Sequence, residues 1–166
     1  MTTITRLAIA AALLALIATG TVFADTNDSL KIPPDFQHGY LVNSMLTTKE
    51  PNKTGLLAGL HLIYVNAVGF DRLKRGGATP YPDGTVFVDD VREFAADENV
   101  YRQGGRKFIA LMIKDSKKYA STGGWGFQAW QGGDPAKPIV DDVVKKCFSC
   151  HVPQKSNDFV FSTFLQ

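Results

Sequence analysis

The chain is poor in cysteine, with 2 in 166 residues, Cys147 and Cys150, close together near the C-terminus. Two neighbouring thiols cannot staple distant segments, so a disulfide framework is excluded. Charge of either sign is also in short supply as a net quantity, at +2. Nothing here attracts nucleic acid or any partner recognised by bulk electrostatics. Histidine is limited to His38, His61 and His151. A structural zinc site needs four ligands, and no second cysteine pair exists to complete one. Internal repeats and low-complexity segments are absent, which removes solenoids and propellers.

What remains is ordinary for one globular domain: 45% hydrophobic and 20% charged residues in a chain of this length. The N-terminus departs from that average. One positive charge at Arg6 precedes a run of Ala, Leu and Ile over residues 7–18, and Val22-Phe23-Ala24 supplies a cleavage site, so residues 1–24 read as a secretory signal peptide. A membrane anchor is the alternative, but the apolar run contains Thr and Gly and is marginal beside the roughly 20 residues a span requires. Cleavage after Ala24 removes Arg6 alone and leaves a net charge of +1 from the original +2. Residues 25–35, with Pro33-Pro34, form an extended lead-in. Residues 36–166 form the domain, with folded structure expected from about Phe36.

Within the domain, residues 40–47 suit a strand or a short helix, and 48–55 a polar loop. Residues 59–65 are short and rich in β-formers, as in a strand covered on both faces. Asn66 then opens a helix over 67–75 that turns Val68, Phe70 and Leu73 to the core and stops at Gly76-Gly77. After the turn residues Pro80, Pro82, Asp83 and Gly84, a strand over 85–91 puts Thr85, Phe87, Asp89 and Val91 on one face and Val86, Val88 and Asp90 on the other. Residues 97–105 read as a polar turn, and 107–114 as a central strand, apolar on both sides. A helical turn at 116–120, a strand at 125–130 and a short helix at 140–148 complete the order. Short connections between successive strands favour antiparallel pairing. The fold class is therefore α+β, a small antiparallel sheet with flanking short helices.

The chemistry is concentrated in Cys147-Phe148-Ser149-Cys150-His151. This fits C-x-x-C-H, in which two thiols on one turn reach the haem vinyl groups and the adjacent imidazole reaches the iron. A redox C-x-x-C belongs at a helix N-terminus after a strand, whereas this pair is expected at a helix end. Covalent attachment suits an exported cytochrome, since a thioether-linked haem cannot diffuse away. The sixth iron position decides between an electron carrier and a small-molecule site. His38, His61, Met45 and Met112 are the candidates; Met112 reads as core, and His61 is the best polar pocket residue.

These residues resemble the cytochrome P460 and cytochrome c′-beta family from about Phe36 to the end. The resemblance is carried by Leu62-Ile63-Tyr64-Val65-Asn66, Pro82-Asp83-Gly84-Thr85-Val86, Met112-Ile113-Lys114-Asp115-Ser116, Gly123-Gly124-Trp125-Gly126-Phe127, Cys147 to His151 and Phe159-Val160-Phe161. Together they are specific; singly, only the haem motif is. The resemblance implies an antiparallel sheet carrying one covalently attached haem c per chain near the C-terminus, usually in a homodimer. Cys147 and Cys150 would be the thioether ligands and His151 the proximal axial ligand.

P460 proteins crosslink a lysine to the haem and oxidise hydroxylamine, whereas c′-beta proteins lack the crosslink and bind gases such as nitric oxide. The crosslinking lysine aligns with Asp89, in a chain with no lysine between Lys74 and Lys107. The arginine of P460 pockets aligns with His61. The first expectation is thus a periplasmic mono-haem cytochrome binding nitric oxide or a similar ligand at a vacant distal site bounded by His61, Phe87 and Asp89. The second is an oxidoreductase acting on hydroxylamine or nitric oxide, with Asp89 and His61 as candidate catalytic residues. The third is a six-coordinate electron carrier serving a redox partner protein. Phe36, Phe70 and Phe94 are candidates for a hydrophobic distal cap.

Overall fold

The computed structural model describes residues 30–48, 55–76 and 79–164. The expected leader and most of the polar loop after Thr47 lie outside the described residues. Five strands run in chain order across one antiparallel sheet: β1 Tyr40–Thr47, β2 Gly59–Val65, β3 Val86–Asp97, β4 Val100–Lys114 and β5 Trp125–Gln131. One helix, α1 Ala67–Arg75, joins β2 to β3. The α+β reading and the antiparallel pairing both hold.

Directly paired residues share a sheet face, so the register sorts the side chains into two layers. Val65, Phe87, Met112 and Phe127 form one row across β2 to β5, and Ile63, Asp89, Ala110 and Ala129 the next. This face carries the largest core cluster, with Val65, Leu73, Tyr81, Phe87, Trp125, Phe127 and Val160 buried. The opposite face packs Val88, Ile109, Leu111 and Trp130 against Phe36 and, from the lead-in, Leu30 and Ile32. Packing onto the sheet therefore begins ahead of Phe36.

Helix α1 begins as its sequence indicates. The Asn66 side chain accepts from the Gly69 N–H at 3.1 Å, and Gly76 ends the helix at φ 65°. Its buried face differs from the expected one: Leu73 is buried and Phe70 packs on the cluster, but Val68 is exposed. Gly69 takes the inward position because the helix lies so close to the sheet that a Cβ there would fall 2.5 Å from Val65 and 2.6 Å from Thr85.

Two further expectations are corrected. Residues 97–105 are no polar turn, because β3 and β4 continue as a paired arm to Asp97↔Val100 and reverse at Glu98, φ 47°. Much of the arm is exposed on both faces, so no alternation of polar and apolar residues reveals it. The helix expected over 140–148 starts later. Residues 137–140 instead run along the β5 edge, where Ile139 N–H donates to the Ala129 carbonyl at 2.9 Å and Gln128 Oε1 accepts from Val140 N–H at 3.3 Å. This strap covers an edge that would otherwise leave backbone groups unpaired. Asp142 then caps the turn by accepting from Lys145 N–H at 3.0 Å. A π-helical turn, Val144–Phe148, passes into one α turn at Ser149–His151 and a 3-10 segment at Val152–Asn157. The cysteines thus lie inside a continuous helical run and not at its end.

Candidate functional site

Cys147, Cys150 and His151 lie within five residues of that run. Cys147 is partly buried and packs against the main core cluster, Cys150 is exposed, and both thiols are free. Burial, aided by the neighbouring Cys150, pushes the Cys147 thiol up to about 12. A thiol-disulfide catalyst needs the reverse, a thiolate stabilised near neutral pH. Among the described residues, no group of three or more His, Cys, Asp or Glu side chains is placed to hold a metal ion.

One ring nitrogen of His151 is engaged by the backbone. Its Nδ1 lies 2.8 Å from the Phe159 carbonyl, and a carbonyl only accepts, so Nδ1 carries the proton and Nε2 presents its lone pair. Burial holds the imidazole below its ordinary range, against the opposing pull of the Phe159 carbonyl, and keeps it neutral. Phe127 and Phe161 flank the ring with centroids at 5.1 and 5.0 Å. A neutral imidazole oriented by one ring nitrogen, beside two free thiols on one helical turn, is a donor set that fits a covalently attached haem.

The carbonyl that orients His151 depends on residues the motif does not contain. After the 3-10 segment the chain reverses through Asp158, φ 50°, and Phe159, φ 65°. Two successive non-glycine residues in the left-handed region cost about 1–3 kcal/mol each and persist only where their surroundings hold them. The Asp158 carboxylate accepts from Lys114 Nζ at 2.8 and 2.9 Å and from Tyr81 N–H at 2.7 Å, and its carbonyl accepts from Trp125 Nε1 at 2.8 Å. The available signal for this role was a lysine closing the run 108–113, which is apolar on both faces.

His61 and Asp89 stand on the cluster-bearing face of the sheet, on adjacent strands. His61 Nδ1 is 2.7 Å from Asp89 Oδ2, and its Nε2 donates to the Leu57 carbonyl at 2.9 Å. Among the described residues, Asp89 Oδ1 is buried with no hydrogen-bond partner. Phe87, two residues away on that face, is committed to the core, edge-on to Tyr81 at 5.4 Å and tilted against Trp125 at 6.2 Å. Met112 is core, as expected. His38 is exposed at the end of the short 3-10 helix that contains Phe36, a residue of the opposite layer. Met45 is exposed on the β1 edge, paired with His61.

The three phenylalanines considered as a cap do not come together. Phe36 packs on the opposite sheet face, Phe70 stacks on Tyr40 at 3.8 Å, and Phe94 meets Tyr101 on the arm at 6.0 Å.

A family model described as Cytochrome P460 matches residues 33–162. No curated protein matches the chain.

Proposed function

Because the chain belongs to the cytochrome P460 family and is thus a haem cytochrome, we propose that it binds nitric oxide or a similar small ligand at a vacant distal haem position. In this reading one haem c per chain is attached through Cys147 and Cys150, with His151 as proximal axial ligand. The haem, when bound, supplies an iron with one position open to small molecules.

One observation carries the preference for an open position: both ring nitrogens of His61, the polar pocket candidate read from the sequence, are already taken by Asp89 and Leu57. Met112 is held in the core. Neither is free to act as a sixth ligand, which counts against the electron-carrier reading. Asp89 in the place of the crosslinking lysine supports gas binding over hydroxylamine oxidation.

A second reading, an oxidoreductase acting on hydroxylamine or nitric oxide, is favoured by the same pair taken differently. The unpartnered Asp89 Oδ1 can accept a proton, and His61 behind it can share the charge. We further propose that the protein is exported to the periplasm with cleavage after Ala24, forms a homodimer, and exchanges electrons with a partner protein.

The deciding experiment is the optical spectrum of the dithionite-reduced protein before and after carbon monoxide, with the Cys147→Ala/Cys150→Ala variant as control. A five-coordinate c-type spectrum that shifts on carbon monoxide, with covalent haem lost in the double variant, is expected. A strongly red-shifted band would reveal a lysine crosslink and overturn gas binding in favour of hydroxylamine oxidation. A six-coordinate spectrum indifferent to carbon monoxide would leave the electron carrier. In the oxidoreductase reading, Asp89→Ala and His61→Ala each abolish turnover; unchanged turnover removes those roles.

A further inference from the structure

We propose that Lys114 and Asp158 are positioning residues for the proximal ligand: their buried ion pair fixes the reversal that presents the Phe159 carbonyl to His151 Nδ1, and so sets the donor strength of Nε2. The inference rests on the reading of His151 as axial ligand.

Lys114 closes β4 opposite Trp125, with only 4% of its surface exposed. Its ammonium has three protons and three uses: Asp158 Oδ1 at 2.8 Å, Asp158 Oδ2 at 2.9 Å and the Gly123 carbonyl at 3.0 Å. Asp158 receives in addition Tyr81 N–H. A charge pair taken out of water is tolerable only when its hydrogen bonds are filled in this way. The preceding residue is gripped as well, since Arg72 donates to Asn157 Oδ1 at 3.3 Å.

The reversal has no room to relax on the far side. The Phe159 ring lies between Phe148, at 5.2 Å between centroids, and Gly123, where a Cβ would fall 2.3 Å from the ring. Phe159 N–H is tied to the Gln154 carbonyl at 2.8 Å. The sheet therefore dictates the position of one carbonyl through Asp158, and that carbonyl dictates the imidazole. A hydrogen bond from Nδ1–H makes Nε2 a stronger donor, and a stronger donor stabilises the oxidised iron.

The test compares the haem-loaded parent with Lys114→Met and with Lys114→Met/Asp158→Asn, which leaves no uncompensated buried charge. In both variants the ferrous iron–histidine stretching band in the resonance Raman spectrum should move to lower frequency and the reduction potential should rise. Haem stoichiometry and far-UV circular dichroism should remain parental. A parental band and potential in a folded, haem-loaded variant overturns the proposal.

Should neither variant fold, the parent decides by the deuterium shift of the same band. Slow exchange of the His151 Nδ1 proton is expected, and exchange complete within mixing overturns the proposal. A parent purified without covalent haem instead overturns the axial-ligand reading itself, so the two failures are distinguishable.

Discussion

Asp89 holds His61 Nδ1 with one carboxylate oxygen, 2.7 Å away, and leaves the other buried without a partner among the described residues. The pair joins diagonal neighbours on β2 and β3, since His61 is directly opposite Val91. Cross-strand geometry thus brings together two of the distal candidates read from the sequence.

The pair should make stability depend on pH with a definite sign. Burial lowers the His61 pKa, but the Asp89 hydrogen bond and charge, with the Leu57 carbonyl, outweigh burial and the nearby Lys107, leaving it raised. Stabilisation from a raised histidine is full below its unfolded value of about 6.5 and is lost as pH rises through the folded value. The melting temperature of the parent should therefore exceed that of Asp89→Asn in mildly acidic buffer, and the two should converge as pH rises. A gap that is constant or widens toward alkaline pH rules out the linkage.

On the opposite face, Asp90 is fully buried and accepts from Arg106 Nε at 2.7 Å and from Arg92 Nη2 at 2.9 Å. Burial alone would raise its carboxyl, yet the two guanidinium groups hold it below the usual carboxylate range. Asp90→Ala strands two cations, but their side chains are 18% and 28% exposed and can turn to water. The loss should lie near the lower end of the range for breaking a buried pair, about 3 kcal/mol. Urea unfolding would measure it, and a loss below about 1 kcal/mol would show that the arginines are worth no more than a surface pair.

Gly69→Ala tests the close approach of α1 to the sheet. Alanine favours a helix interior over glycine by about 1 kcal/mol, whereas overpacking costs about 1–3 kcal/mol. The added Cβ would meet Val65 and Thr85 side chains at 2.5 and 2.6 Å, well inside contact distance. Net destabilisation of up to about 2 kcal/mol is expected in thermal melts. A more stable variant would mean that the helix can lift off the sheet without loss.

Legibility in the sequence followed the physics of each segment. Strand β2 was readable as a short run of β-formers, strand β5 and helix α1 from a local period, and Asn66 and Gly76 mark the helix ends with chemistry confined to one turn. The β3–β4 arm was not readable, because its partner strand and not a buried face holds it in place. Val68 was assigned inward on spacing alone, and the separation between α1 and the sheet put Gly69 there instead.

The sequence by itself determined the C-x-x-C-H spacing of Cys147, Cys150 and His151, the α+β class and the family, since each is written in short-range spacing or in a pattern of local matches. Only the tertiary structure decided how those residues are equipped. The Phe159 carbonyl that orients His151, the Lys114–Asp158 pair that holds it, and the bond between His61 and Asp89 join positions 8, 44 and 28 residues apart. Contacts across such separations arise from strand register and chain reversal. Their energies depend on burial that no local pattern expresses.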